Sequence, residues 1–246
     1  MSVVIYGDFT CPYSYLASRR TDALIEAGVD VDWHAVERRP DLPVTGVALT
    51  PDSRAALEAE VAEVTELLRP GEELPLEIHG TIPRTEAAVS GYAEAYGVGT
   101  AADVRRLLFR TYWVEGGAIG DPEVLRQLLV GPILRGDGGA GPLHEFGYAV
   151  AVSRGPMTTA AFRHIQAWRA GWVATGTGTT PTVVVDGTVH AGVAGLHWLA
   201  DEIDRLGAPR APEPAEPSRY PEVSLRPQPE WVSTVGGPWA RAFMHR

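Results

Sequence analysis

Residues 3–17 read VVIYGDFTCPYSYLA, an apolar run followed closely by the only cysteine of the 246-residue chain. The run predicts a buried strand over residues 2–9, and the spacing of the apolar residues after it predicts a helix over 13–27. Pro12 suits the first helical position, because its missing N–H would have no partner there. Cys11 is therefore expected at a helix N-terminus, where unpaired amides and the helix dipole favour the thiolate, the nucleophilic form of sulfur.

Ser14 stands where a second cysteine would complete a Cys-x-x-Cys pair. The chain cannot close a disulfide within itself, so a mixed disulfide at Cys11 must be released by an outside thiol. We expect Ser14 to donate a hydrogen bond to the Cys11 thiolate, and Tyr13 to line the cleft with its hydroxyl as a donor. Cys11, Ser14 and Tyr13 are the predicted catalytic residues. The structural alternatives are a buried unreactive thiol, a serine bonded to its own backbone and a surface tyrosine.

The composition excludes several classes of function. With 31 acidic and 21 basic residues the formal net charge is −10, and an acidic surface repels both nucleic acid and anionic lipid. No apolar run reaches the roughly 18 residues of a membrane span, and no signal peptide is visible. A single cysteine fits a reducing compartment, so we expect a cytoplasmic protein without a metal centre.

Strand and helix signals follow one another along the rest of the chain. Residues 29–36 alternate apolar and polar side chains, which predicts a second strand. Asp186-Gly187 lies between two β-branched runs and predicts a hairpin, and a last helix over 196–206 should end at Gly207. Between them, helices are predicted over 51–68, 85–96, 101–114, 122–129, 143–152 and 158–173, with loops over 70–83 and 131–142.

Four stretches resemble the DsbA-like thioredoxin superfamily, in the subgroup of FrnE-like oxidoreductases, kappa-class glutathione transferases and 2-hydroxychromene-2-carboxylate isomerases. They are DFTCPYSYLA at 8–17, RLLFRTYW at 106–113, IGDPEVL at 119–125 and TTPTVVVDG at 179–187. Their order and spacing carry the resemblance, which covers roughly residues 2–206.

The order of elements and the resemblance together predict an α/β, thioredoxin-like fold, β-α-β … β-β-α, with a large all-helical insertion. The thioredoxin-like domain would comprise residues 1–38 and 174–207, with the helical insertion over 39–173. Residues 208–246 are predicted to form a proline-rich C-terminal arm. Its last part, 231–246, carries two tryptophans and is expected to dock on the body of the protein or on another subunit.

The resemblance further implies a cis peptide bond between Thr180 and Pro181, facing Cys11. Such a bond would present the backbone of Thr180 to an extended peptide or to a small thiol. Pro12, Thr180 and Pro181 are therefore the predicted substrate-binding residues.

Three functions remain open from the sequence. The first is a DsbA-like thiol-disulfide oxidoreductase with a monothiol Cys-Pro-Tyr-Ser active site, acting on a small-molecule thiol or disulfide. The second is a thiol-dependent isomerase or transferase acting on a small aromatic or polyketide-like substrate. The third is a non-catalytic binding or assembly protein, for which the tryptophan-bearing tail suggests a homodimer. We expect no tightly bound cofactor, and a low-molecular-weight thiol, glutathione or another, as co-reactant.

Overall fold

The computed structural model describes residues 1–136 and 157–208. In chain order the elements are β1 (Ser2–Gly7), α1 (Pro12–Glu26), β2 (Asp30–Ala35), β3 (Val47–Ala48), α2 (Pro51–Glu66), β4 (Thr81–Ile82), α3 (Glu86–Gly97), α4 (Ala101–Trp113), α5 (Pro122–Leu134), α6 (Thr159–Ala174), β5 (Thr182–Val185), β6 (Thr188–Ala191) and α7 (Val193–Leu206). The described residues all belong to one compact unit, residues 1–213.

A four-stranded mixed sheet, in the order β2-β1-β5-β6, forms the centre of the fold. β1 pairs in parallel with β2 across the α1 crossover, and β5 returns antiparallel to β1. The β5–β6 hairpin turns at Asp186 and Gly187, whose φ angles of 47° and 85° are the left-handed values that a two-residue type I′ turn requires. The thioredoxin-like order β-α-β … β-β-α is therefore confirmed.

The central strand β1 is buried, since Val3 and Ile5 are fully inaccessible to solvent. α1 and α7 pack against each other, and α3 packs against α6. Trp33 of β2 and Trp113 at the end of α4 belong to the same hydrophobic core. The helices between β2 and β5 thus share their apolar interior with the sheet, and this shared core holds the loop that carries Cys11.

Two predicted loops are wrong in part. Within 70–83, the two residues of β4 pair with β3, a strand too short to show any periodicity in the sequence. Within 131–142, α5 continues through Gly131-Pro132 to Leu134. Pro132 removes one helical N–H, but Leu129, Pro132 and Ile133 are all buried, and this burial offsets the lost hydrogen bond.

The last helix begins at Val193, three residues before its predicted start. The predicted helix over 143–152 and the tail over 231–246 lie outside the described residues, and the division into domains stays a prediction. None of the described helices combines the length and apolar character needed to cross a membrane.

Candidate active site

Cys11 lies where β1 has ended and α1 begins, as the N-cap residue of the helix. Its backbone is extended, with φ −95° and ψ 119°, and its carbonyl accepts the first helical bond from the Tyr15 N–H at 3.1 Å. The Cys11 N–H donates to the carbonyl of Asp8, also at 3.1 Å, and this turn fixes the sulfur at the helix end. The first-turn amides of α1 receive no side-chain cap, so they remain as donors near the sulfur.

The Cys11 thiol donates a hydrogen bond to the carbonyl oxygen of Thr180, with 3.2 Å between sulfur and oxygen. The Thr180–Pro181 peptide bond is cis. The structure therefore brings Cys11 together with two of the predicted substrate-binding residues, while Pro12 occupies the first position of α1. From the sequence we expected the sulfur to face an open cleft. It does not, because Cys11 is 0 % exposed.

The hydroxyl of Ser14 is directed to the backbone of the same loop. Ser14 is fully buried, and its Oγ accepts a hydrogen bond from the Asp8 N–H at 3.3 Å. Among the described contacts, Ser14 makes no hydrogen bond to Cys11. The predicted contact therefore does not occur with the protonated thiol, and donation to the ionised sulfur stays a prediction.

The hydroxyl of Tyr13 is held by α2. It donates to Glu63 Oε2 at 2.6 Å. Burial raises the pKa of Tyr13, and the hydrogen bond and charge of Glu63 raise it further, followed by charge on Glu60 and Cys11. Tyr13 therefore stays protonated and bridges the active-site turn to α2 in this structure.

A buried carboxylate that the sequence analysis missed organises the loop. Asp8 is 1 % exposed, and its Oδ1 accepts hydrogen bonds from both the N–H and the hydroxyl of Thr10 at 2.7 Å. Its Oδ2 accepts from the Arg38 N–H at 2.7 Å and from the Thr85 hydroxyl at 3.0 Å. Asp8 thus joins the Cys11 turn to the end of β2 and to the start of α3.

Arg38 is the second residue that was missed, and it provides positive charge at this site. Its Nη2 lies 3.7 Å from Glu60 Oε2. Burial lowers the pKa of Arg38, but negative charge on Cys11, and then on Glu60, Asp8 and Tyr13, raises it, and the net direction is upward. The available signal was its position just after β2, because parallel strands end at the same edge of a sheet.

His34 of β2 contacts residues of β2 and α6. Its Nε2 is 2.8 Å from Asp32 Oδ2, and its ring stacks on Trp168 at 5.4 Å between centroids. Within residues 1–136 and 157–208, no group of three or more His, Cys, Asp or Glu side chains is placed to hold a metal ion.

A cavity of about 600 Å³ lies where the segment around β4, the end of α4 and the loop before α5 meet. It is lined by Val44, Thr45, His79, Gly80, Thr81, Pro83, Tyr112, Gly116, Gly117, Ala118, Gly120, Asp121 and Pro122. Tyr112 precedes Trp113, whose indole N–H donates to the Phe9 carbonyl at 3.1 Å. Burial raises the pKa of Tyr112 to about 12, so its hydroxyl is a proton donor at neutral pH. Cys11 is not among the lining residues.

Comparisons with known proteins agree with this fold. The chain is similar in structure to the probable DsbA oxidoreductase of Streptomyces coelicolor, with 17 % identity and a TM-score of 0.62 over 87 % of this chain and 92 % of that one. It is also similar to the cytosolic disulfide reductase DsbM of Pseudomonas aeruginosa, with 18 % identity and a TM-score of 0.54 over 84 % and 99 % of the two chains. A 2-hydroxychromene-2-carboxylate isomerase matches with 20 % identity and a TM-score of 0.58 over 84 % and 96 %.

At these identities the structural neighbours show the fold alone, and no curated protein matches the sequence. The model of the DSBA-like thioredoxin domain matches residues 2–131, more than half of the chain. Members of this family are oxidoreductases or isomerases. The protein belongs to the family of DSBA-like thioredoxin domains.

Proposed function

We propose that the protein is a thiol-disulfide oxidoreductase that works with the single thiol of Cys11. The observation that carries the proposal is the position of the sulfur, at the N-cap of α1 and 3.2 Å from the carbonyl of Thr180 beside the cis bond to Pro181. A helix N-terminus and a nearby arginine, here Arg38, both favour negative charge on sulfur.

The chemistry is an exchange between disulfides. The Cys11 thiolate attacks one sulfur of a disulfide, a new S–S bond forms at Cys11, and the other half of the disulfide leaves as a thiolate. A second thiolate from solution then attacks this mixed disulfide, forms a new disulfide with the bound half and regenerates the Cys11 thiolate. Electrons balance without a further oxidant, and the outside thiol is required because Ser14 has no sulfur.

Ionisation of Cys11 also changes the role of Thr180. The thiol now donates to the Thr180 carbonyl, but a thiolate has no proton to donate, and two electron-rich atoms in contact repel each other. The sulfur is then expected to turn towards the uncapped amides of α1. The carbonyl of Thr180 becomes free to accept an N–H from the substrate, as in strand addition.

The first experiment is to incubate the native protein with oxidised glutathione and to measure its intact mass. We expect one glutathionyl group, located at Cys11 by peptide mapping and removed when a reduced thiol is added. Cys11→Ser is the matched control and should remain unmodified. If the adduct forms only after unfolding in guanidinium, Cys11 is a structural thiol and the proposal is wrong.

A second candidate, a thiol-dependent isomerase or transferase for a small aromatic substrate, is favoured by the cavity that Tyr112 lines. Its volume of about 600 Å³ is in the usual range for a small-molecule site. Saturable binding of a thiol-free aromatic compound, lost in a variant that fills the cavity such as Ala118→Trp, would support it. If the protein forms the Cys11 adduct but binds no such compound, the result supports the exchange reaction and contradicts this second candidate.

A further inference from the structure

We propose that Arg38 makes Cys11 selective for negatively charged substrates, by binding a carboxylate or other acidic group of the substrate beside the reacting sulfur. This inference rests on the proposed function, since it concerns the reactivity of the same sulfur. It adds the substrate class, an anionic thiol or disulfide, and the residue that selects it.

The backbone of Arg38 is fixed to the Cys11 turn. Its N–H donates to Asp8 Oδ2 at 2.7 Å, and the other oxygen of Asp8 accepts from Thr10, which immediately precedes Cys11. The Val36 N–H, two residues earlier, donates to the carbonyl of Gly7 at 3.0 Å and continues the β1–β2 ladder. The side chain of Arg38 therefore starts from a rigid position at the edge of the sheet where the sulfur lies.

The guanidinium of Arg38 is only loosely paired. The distance of 3.7 Å to Glu60 Oε2 is too long for a hydrogen bond, and that oxygen is buried without a hydrogen-bond partner among the described residues. The Arg38 side chain is 24 % exposed. Its planar donors are thus available to an incoming carboxylate, which an arginine binds in a two-pronged geometry.

The charge on the sulfur determines how well the positive charge of Arg38 is compensated. Among the charges that raise the pKa of Arg38, that of Cys11 is the largest. When Cys11 forms a mixed disulfide, the sulfur becomes neutral and the guanidinium loses this counter-charge. An acidic group carried by the bound half of the substrate restores it, whereas a neutral substrate leaves the partly buried guanidinium with the carboxylates of Glu60 and Asp8 alone.

Alkylation by two reagents of nearly equal size measures this selectivity. Iodoacetate is negative and iodoacetamide neutral; in both reactions the thiolate forms an S–C bond and iodide leaves. Because the burial of Cys11 hinders both reagents alike, the ratio of the two rate constants reports the charge around the sulfur. The measurement needs no disulfide substrate.

We expect Arg38→Gln to lower the iodoacetate-to-iodoacetamide ratio about tenfold, the effect of one near charge at partial exposure. Arg38→Lys should keep most of the wild-type ratio, because it retains the charge. Arg39→Gln is the matched control, since it removes the same positive charge from the neighbouring position; its ratio should change less than about twofold. Glu60→Gln should raise the ratio, because the guanidinium loses its competing carboxylate.

If Arg38→Gln slows both reagents equally, the residue only supports the loop and this inference is wrong while the proposed function stands. If the Arg38 variant fails to fold, an unchanged ratio in Glu60→Gln also overturns the inference. A native protein that reacts with neither reagent overturns the proposed function, and this inference with it.

Discussion

Ser14 is the residue on which the proposed monothiol chemistry depends. Its hydroxyl is fully buried and accepts a hydrogen bond from Asp8, and its place at the third helical position is one turn from Cys11. Cα atoms three positions apart on a helix are about 5 Å apart, within the range of Cα separations that a disulfide spans. The geometry therefore admits a second sulfur, although the sequence has none there.

We predict that Ser14→Cys converts the protein to a dithiol enzyme. Treated with oxidised glutathione, the wild type should keep its glutathionyl adduct, whereas the variant should release it as its two sulfurs join. Intact mass, measured before and after thiol alkylation under denaturing conditions, distinguishes the two products. A stable adduct on the variant would show that the two sulfurs do not meet.

Asp8 contributes to stability through the four hydrogen bonds that it accepts. Asp8→Asn places an amide nitrogen against donors, and we expect the free energy of unfolding to fall by about 2–4 kcal/mol. Urea denaturation measures the loss. Asp41→Asn, at an exposed aspartate, is the control and should change stability by less than about 0.5 kcal/mol. Equal values for the two variants would mean that water replaces the lost partners of Asp8.

At the scale of elements, a buried arginine joins three helices. Arg20 of α1, 2 % exposed, donates to the carbonyl of Leu67 just after α2 and to that of Leu196 in α7. It also donates twice to the carboxylate of Glu72, at 2.9 and 2.7 Å. Burial raises the pKa of Glu72, but the hydrogen bonds from Arg20 and from the Arg69 amide outweigh it and hold the pKa below its ordinary value.

This shift makes the helix junction sensitive to acid. The folded Glu72 binds a proton less readily than the unfolded chain does, so its contribution to stability is complete above the ordinary value of 4.5. It is lost as the pH falls from there through the lowered pKa. Between about pH 6 and pH 3.5, the wild type should lose more unfolding free energy than Glu72→Gln does. Glu73→Gln, at an exposed position, should behave as the wild type, and parallel curves for all three proteins would contradict the prediction.

The end of β1 also depends on a glycine. A Cβ at Gly7 would overlap the indole of Trp33 on the neighbouring strand β2. We expect Gly7→Ala to reduce the unfolding free energy by about 1–3 kcal/mol, since the core must shift to accept the methyl group. Gly97→Ala, at the end of α3, meets nothing within 4 Å and should be neutral or stabilising by about 0.5–1 kcal/mol. Chemical denaturation of both variants tests the contrast.

At the scale of the whole molecule, the net charge of −10 opposes the attraction of anionic reagents that we propose for Arg38. Salt screens charges that are more than about 10 Å apart at 0.1 M, and affects a contact with a partly buried arginine less. The iodoacetate-to-iodoacetamide ratio at Cys11 should therefore rise about twofold between roughly 10 mM and 300 mM NaCl. Alkylation quenched at successive times and followed by mass spectrometry gives the rate constants for both reagents. A ratio that falls with salt would mean that Arg38 acts as an exposed charge.

Several features could be predicted because neighbouring residues encode them. The apolar run of β1, the Pro12 start of α1 and the Asp186-Gly187 turn depend on local backbone preferences. The continuation of α5 through Pro132 could not be predicted, because local propensity opposes it and only burial in the core compensates. The pairing of β3 with β4 joins residues more than 30 positions apart through two-residue strands, which carry no periodic signal.

Some features of the candidate site could likewise be predicted from the sequence, and others could not. The sequence by itself determined that the only cysteine stands at a helix N-terminus and that the chain cannot close a disulfide within itself, since these follow from Cys11, Pro12 and Ser14 as neighbours in the chain. Only the tertiary structure decided what surrounds the sulfur. The parallel register of β1 and β2 carries Arg38 to Asp8, and the return of β5 carries Thr180 to Cys11. Such contacts depend on how the elements pack, and packing is a property of the whole core rather than of any one stretch of sequence.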